Sequence, residues 1–350
     1  MLLYWSLFLF FLIGAFSSQD GPQSRASSMG LWFGAVLLTV AIGLRFKVGG
    51  DWGTYQIMFR RAAVYDFQRM LQFGDPAYQL LNWVVQWLEW PFWVVNLVCA
   101  GIFCWGLTRF AMTQINPWLA MVVAVPYLVI VVSMGYTRQS VAIGIIMMGL
   151  SALQRGRSVI RFSLYVLAAA LFHKTAVVAM LLVALTGKRN RVVNLMIVVA
   201  SAVLLYDSLL QNSMNDLMRN YVVAKYESQG AAIRIGLCIV PAAIFFISRK
   251  KLFFSEQGSA LWRNFSITAF LSIFALIVSP SSTAVDRISL YLLPLQLAVI
   301  SQIPRVLSSS NGGKILVVAY AFTIQFTWLN FATNASYWVP YSSYLNFYWA

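Results

Sequence analysis

The sequence predicts an all-α polytopic membrane protein of about ten transmembrane helices, with a re-entrant helical hairpin and an outer interfacial amphipathic helix. Composition is the first observation behind this. Hydrophobic residues make up 60% of the 350 and charged residues 10%, and the mean hydropathy is +0.74. A soluble domain carries roughly 25% charged and 45–50% apolar residues, so most of this chain has lipid for solvent. The second observation is pattern: apolar runs recur along the whole chain, separated by short basic loops.

A spanning helix needs about 20 mostly apolar residues. Runs of that kind lie near 2–16, 29–46, 91–109, 117–133, 137–154, 192–207, 231–248, 260–278, 285–303 and 314–331. The segment Met1 to Phe16 has no basic residue ahead of it and no convincing small-residue cleavage site. It is read as a retained, rather short first helix with its N-terminus outside. No linker, low-complexity block or internal repeat divides the chain, so a single membrane domain over 1–350 is expected.

Lysine and arginine in short loops orient the spans. The loops Arg155–Arg161, Lys188–Arg191, Arg249–Lys251 and Arg305–Lys314 are the cytoplasmic candidates. Alternation then puts 45–90, 208–230, 279–286 and the C-terminus outside. Residues 162–186 resist it, because two basic loops flank a run with His173-Lys174 at its centre. Two half-helices folded as a re-entrant hairpin satisfy both flanks, since irregular backbone at membrane depth is tolerated where protein or a wet cavity surrounds it. A single long span with a polar kink is the alternative. In the outer segment 47–90, Trp52, Tyr55, Phe59, Ala62 and Ala63 recur at helical spacing with Arg60, Arg61 and Asp66 between them. That spacing predicts an amphipathic helix at the interface.

The net charge of +15 divides between these loops and a second set. Arg45, Lys47, Arg60, Arg61, Arg69, Arg138, Lys174, Arg219, Lys225, Arg234 and Arg287 fall outside or in the outer half of the membrane, where orientation pressure disfavours them. Snorkelling to headgroups accounts readily for Arg60, Arg61 and Arg69. It accounts poorly for Arg138 and Arg287, which sit at span ends. A planar guanidinium binds phosphate bidentately, and a diphosphate needs several such donors.

Four constellations carry the chemistry. In Arg45–Tyr55, two basic residues leave the membrane, Gly49-Gly50 permits a turn, and Asp51 either caps the amphipathic helix or serves as a base. In Gly135–Ser140, Arg138 stands at a helix start that itself attracts anions. His173, the only histidine, sits in Phe172-His173-Lys174-Thr175 as buried polar packing or as a general base. Asp286-Arg287 opens a span as a structural ion pair or as part of an anion site. Only ten carboxylates are present, without a DxD cluster, a Gly-rich nucleotide loop or a nucleophile elbow. Cys99, Cys104 and Cys238 lie in apolar runs and show no zinc or disulfide spacing. A metal site, a nucleotide-sugar donor and nucleic acid are not expected.

Gly49-Gly50-Asp51-Trp52 with Tyr55, then Arg138-Gln139, Phe172-His173-Lys174, Asp286-Arg287 and Tyr337-Trp338-Val339-Pro340-Tyr341 together resemble the EpsG family of Wzy-like exopolysaccharide polymerases. The likeness runs in order along nearly the whole chain. It implies a glycosyltransferase of the bacterial inner membrane that polymerises undecaprenyl-diphosphate-linked oligosaccharide repeats on its extracytoplasmic face, without cofactor, metal or nucleotide. The implied partners are the lipid-linked repeat, the growing polysaccharide, the bilayer, and the flippase and chain-length regulator of an export system. On this reading Asp51 and His173 are the catalytic candidates, and Arg45, Lys47, Arg138 and Arg287 bind diphosphate. Tyr55, Gln139, Lys174 and Asp286 position the substrate. A ligase using the same donor, or a transporter or flippase of the lipid-linked oligosaccharide, are the alternatives.

Overall fold

Long runs of Leu, Val, Ile, Phe and Ala with few charges must satisfy their backbone polar groups internally, and helices do this within a single segment. The computed structural model describes residues 1–18, 24–156, 158–184, 230–279 and 282–345. It is all-helical apart from turns and one isolated bridge between Arg45 and Ser343 among those residues. In order, the first helices are α1 (Leu2–Ser17), α2 (Arg25–Gly43), α3 (Trp52–Ala62), α4 (Phe67–Leu71) and α5 (Pro76–Trp87). Next come α6 (Trp93–Ala111), α7 (Pro117–Ala124), α8 (Thr137–Gln154), α9 (Val159–Phe172) and α10 (Val178–Ala184). Then follow α11 (Ala231–Ser248), α12 (Glu256–Val278), α13 (Ser282–Ser289), α14 (Pro294–Ile300), α15 (Ile303–Val306) and α16 (Ser310–Phe331).

Helices occupy every expected span except 192–207, which lies outside the described residues together with the loop 188–191, Arg219 and Lys225. Five of them (α2, α6, α11, α12 and α16) are long and apolar enough to cross a membrane. A sixth arises if Ser282–Leu292 and Pro294–Val306, bent by 44°, form one span. Pro294 stands at that bend, where it has no N–H to continue the helical ladder. α1 has 16 residues and reaches only ~24 Å, short of the ~30 Å hydrocarbon layer. α7 continues as a π-helix over Val125–Ser133. Pro126, near its start, cannot donate and crowds the carbonyl four residues back, so the wider turn relieves both conflicts.

Lipid-facing stripes follow the 3.6-residue period. On α2 the exposed large apolar residues are Met29, Phe33, Val36 and Val40, and on α12 they include Ile267, Phe270, Leu271, Phe274 and Ile277. Apolar surface of this extent on several helices is a membrane contact rather than scattered exposure. The protein is therefore an all-α, multi-pass membrane protein.

Residue contacts gather the chain into two units: Met1–Ile145 with Leu171–His173 and Lys314–Ala350, and Ile146–Ala170 with Lys174–Gly313. In the first, α2 lies along α6, α1 along α7, and α3 and α4 against α5. α6 meets the N-terminal half of α8 at Gly106 and Gly144, where a Cβ on Gly106 would stand 2.0 Å from the Gly144 carbonyl oxygen. Only glycine allows backbones that close. In the second unit, α11 packs on α12, α13 and α14.

The C-terminal tail knits the first unit together. Phe46 N–H donates to Ser342 O (2.9 Å), Gly49 N–H to Tyr337 O (2.8 Å) and Tyr344 N–H to Leu44 O (2.8 Å). The fully buried Trp338 donates from its indole to Ile130 O at 2.8 Å, and its own carbonyl accepts from Tyr4 Oη at 2.7 Å. Gly49 adopts φ +102° with its α-carbon against the Met134 carbonyl. Part of the motif set that carries the family resemblance therefore builds the first unit.

Candidate functional site

The site begins at a turn between two short helices of the segment 47–90. Asp75 precedes Pro76 at the first position of α5, as a helix cap would. Its carboxylate makes no capping hydrogen bond, whereas Asp66 ahead of α4 accepts from Arg69 N at 2.8 Å. Asp75 turns inward instead, with its side chain 4% exposed. Its Oδ2 accepts from Arg138 Nη1 at 2.6 Å and stands 3.6 Å from His173 Nδ1. Arg138 comes from the first turn of α8, and His173 from the break between α9 and the 3-10 turn Lys174–Val177. Both remain partly exposed, at 24% and 17% of their side chains. The expected interruption at His173-Lys174 is thus a real break between two short apolar helices.

Aromatic rings wall the cluster. The Arg138 guanidinium carbon lies 5.9 Å from the Tyr55 ring centre, and the Tyr55 and Tyr78 rings are 5.6 Å apart. α5 turns its polar residues toward the protein: Tyr78, Gln79 and Asn82 are buried, while Leu80 and Trp87 are exposed. Gln79 Nε2 donates to Phe73 O at 3.2 Å and closes the turn that delivers Asp75. Burial holds the Tyr78 phenol well above its ordinary pKa, so it stays neutral.

Arg45 supports the site from below. It is 1% exposed, and its donors go to Ile42 O (2.5 Å), Val48 O (3.3 Å) and Thr137 Oγ1 (2.7 Å). Thr137 immediately precedes Arg138, so Arg45 fixes the start of α8. Arg45, expected to contact diphosphate, is enclosed here with its guanidinium bonded to three protein acceptors.

The remaining candidates fall in several places. Asp51 directly precedes α3 without a side-chain capping bond. Lys47 is exposed beside Phe46, with Nζ 5.3 Å from the ring centre. Gln139 is buried next to Arg138. Lys174, Asp286 and Arg287 belong to the second unit. There Asp286 pairs with Arg234 in a buried salt bridge, and Thr175 Oγ1 lies 3.1 Å from Tyr291 Oη. Arg287 is half-buried on α13. The sequence reading missed Asp75, and Arg234 as the partner of Asp286. An Asp-Pro step reads as a helix start, which hid Asp75. Its one available signal was scarcity, as a carboxylate in a chain with ten.

Among the described residues no group of three or more His, Cys, Asp or Glu side chains is placed to hold a metal ion. What is assembled is a buried carboxylate between a guanidinium and an imidazole, beside the first turn of α8. That defines the class: a polytopic helical membrane protein with a buried Asp–Arg–His cluster. The family profile of the EpsG family matches residues 31–343, and the chain belongs to the EpsG family. Membership supports, at the level of the family, an exopolysaccharide-related polymerase. Among curated proteins and among solved structures, nothing matches the chain.

Proposed function

We propose that the protein lengthens exopolysaccharide by joining oligosaccharide repeats carried on undecaprenyl diphosphate, at the extracytoplasmic face of the bacterial inner membrane. The observation that carries this is the convergence of Arg138 and His173, two residues of the family pattern, on one buried carboxylate. A hydroxyl oxygen of one lipid-linked repeat attacks the anomeric carbon of another chain. The new glycosidic C–O bond forms as the anomeric bond to the diphosphate breaks, and the electron pair leaves on the phosphate oxygen. Lipid diphosphate is an activated leaving group, so the site's work is to neutralise charge and to position the acceptor. Arg138 and the α8 N-terminus meet the developing phosphate charge, with Lys47 as a further cation at the loop. His173 takes the acceptor's proton, and Tyr55 and Asp51 contact sugar hydroxyls. The second unit holds Lys174, Asp286 and Arg287 as its own anion- and substrate-binding candidates. A flippase supplies the donor, and a chain-length regulator acts on the product.

The test is polymerisation in detergent by purified protein given lipid-linked repeats, with and without EDTA. Wild type is expected to give a ladder of longer chains in both conditions. Arg138→Gln is expected to lose about 10²–10³-fold in rate while remaining monodisperse in the membrane fraction. A strict metal requirement, transfer to a different acceptor without lengthening, or normal chain length in Arg138→Gln would refute the proposal.

A further inference from the structure

The chain has one histidine, and beside it stands a carboxylate that the family pattern above does not include. Asp75 Oδ2 is 3.6 Å from His173 Nδ1 and 2.6 Å from Arg138 Nη1. With 4% of its side chain exposed, this carboxylate has given up water, which is tolerated only when partners replace it. It sits where a helix cap belongs, yet makes no capping bond, so local helix formation does not explain its burial. The turn that places it is built for the purpose. Gly74 has φ +151°, and a Cβ there would meet Gln79 Nε2 at 3.2 Å and Arg138 Nη1 at 3.7 Å.

We propose that Asp75 is a positioning residue of the transfer reaction, holding Nδ1 of His173 and the Arg138 guanidinium through one oxygen so that His173 Nε2 is the base. The inference rests on the polymerase reading for its kinetic part alone. A neutral imidazole carries one proton, and a carboxylate facing Nδ1 draws it there, leaving the lone pair on Nε2. The acceptor hydroxyl then transfers its proton to Nε2 as its oxygen bonds to the anomeric carbon. The imidazolium so formed is flanked by the Asp75 carboxylate, and it later gives the proton to water. With Asp75 ionised, the trio of Asp75, Arg138 and neutral His173 has no net charge. It reaches +1 at the moment of transfer. With asparagine at 75, the same step places two positive charges side by side with no anion between them. Tyr55, Tyr78 and Gln79 line this trio.

The single histidine makes a direct test possible. In protein labelled with ¹⁵N-histidine, the wild-type neutral ring is expected to be mainly the Nδ1–H tautomer. In Asp75→Ala it is expected to move toward Nε2–H, because no carboxylate oxygen then faces Nδ1. In the lengthening assay, Asp75→Asn should lower kcat by about 10²–10⁴-fold with KM within about threefold. Asp75→Glu should recover part of the rate. Added to His173→Gln, Asp75→Asn should cost no more than a further factor of about three, since both remove one unit of function. An unchanged tautomer, a wild-type kcat in Asp75→Asn, or losses that multiply in the double variant would each overturn the assignment. A wild-type protein that fails to lengthen chains would end the polymerase reading, and the tautomer measurement would still decide whether Asp75 governs His173.

Discussion

Replacing Gly49 with alanine, and Gly50 beside it as the control, separates the two glycines of the Gly49-Gly50-Asp51-Trp52 motif. Gly49 has φ +102°, and a Cβ there would lie 2.1 Å from the Met134 carbonyl oxygen. The clash is between backbones, so no side chain can rotate away. Positive φ costs an L-residue roughly 1–2 kcal/mol, and forced overpacking adds about 1–3 kcal/mol. Any shift also strains the 2.8 Å bond from Gly49 N–H to Tyr337 O. A loss of about 2–5 kcal/mol is expected, or a fall in Tm of roughly 3–7 °C for a chain of this size. Gly50 has no atom within 4 Å of its Cβ position and no positive φ, so Gly50→Ala is expected to change Tm by less than about 2 °C. Thermal unfolding in detergent, read by the fluorescence of the 13 tryptophans, gives both values. Equal Tm for the two variants would refute the account of the Gly49 approach.

Arg45→Met should destabilise by about 1–3 kcal/mol per buried acceptor left unpaired, and Arg45→Lys should not restore it, since one ammonium cannot reach Ile42 O, Val48 O and Thr137 Oγ1 together. Tm of purified variants reports this; an unaltered Tm in Arg45→Met would show that the enclosed guanidinium is not structural. Tyr78 gives a pH dependence of definite sign. Its folded pKa is raised by burial, so the unfolded chain releases the proton first. Stability from this group is full below about pH 10, the ordinary tyrosine value, and is lost as pH rises toward the folded value. Tyr78→Phe should flatten that alkaline limb in a Tm–pH series; an identical slope would contradict it.

Apolar period and basic loops were enough to place helices over the spans 2–16, 29–46, 91–109, 117–133, 137–154, 231–248, 260–278 and 314–331, because a chain in lipid has no other local way to satisfy its backbone. The break at His173-Lys174 was legible for the same reason, since a charged pair interrupts an apolar run. Which side chains meet was not. Arg45 and Arg138 have the same chemistry and both stand at helix ends, yet one is sealed beneath the site and the other is in it.

The sequence by itself determined that this is a helical, multi-pass membrane protein of the EpsG pattern, with Arg138 and His173 among its chemically loaded residues. Those properties depend on composition, period and local order, which one chain segment carries alone. Tertiary structure alone decided that Asp75 lies between Arg138 and His173, that Arg45 is enclosed with its donors on three protein acceptors, and that Asp286 pairs with Arg234. The ion-pair partners Arg234 and Asp286 are 52 residues apart, and Asp75 and Arg138 are 63 apart. Where a buried charge finds its counter-charge is fixed by how helices pack.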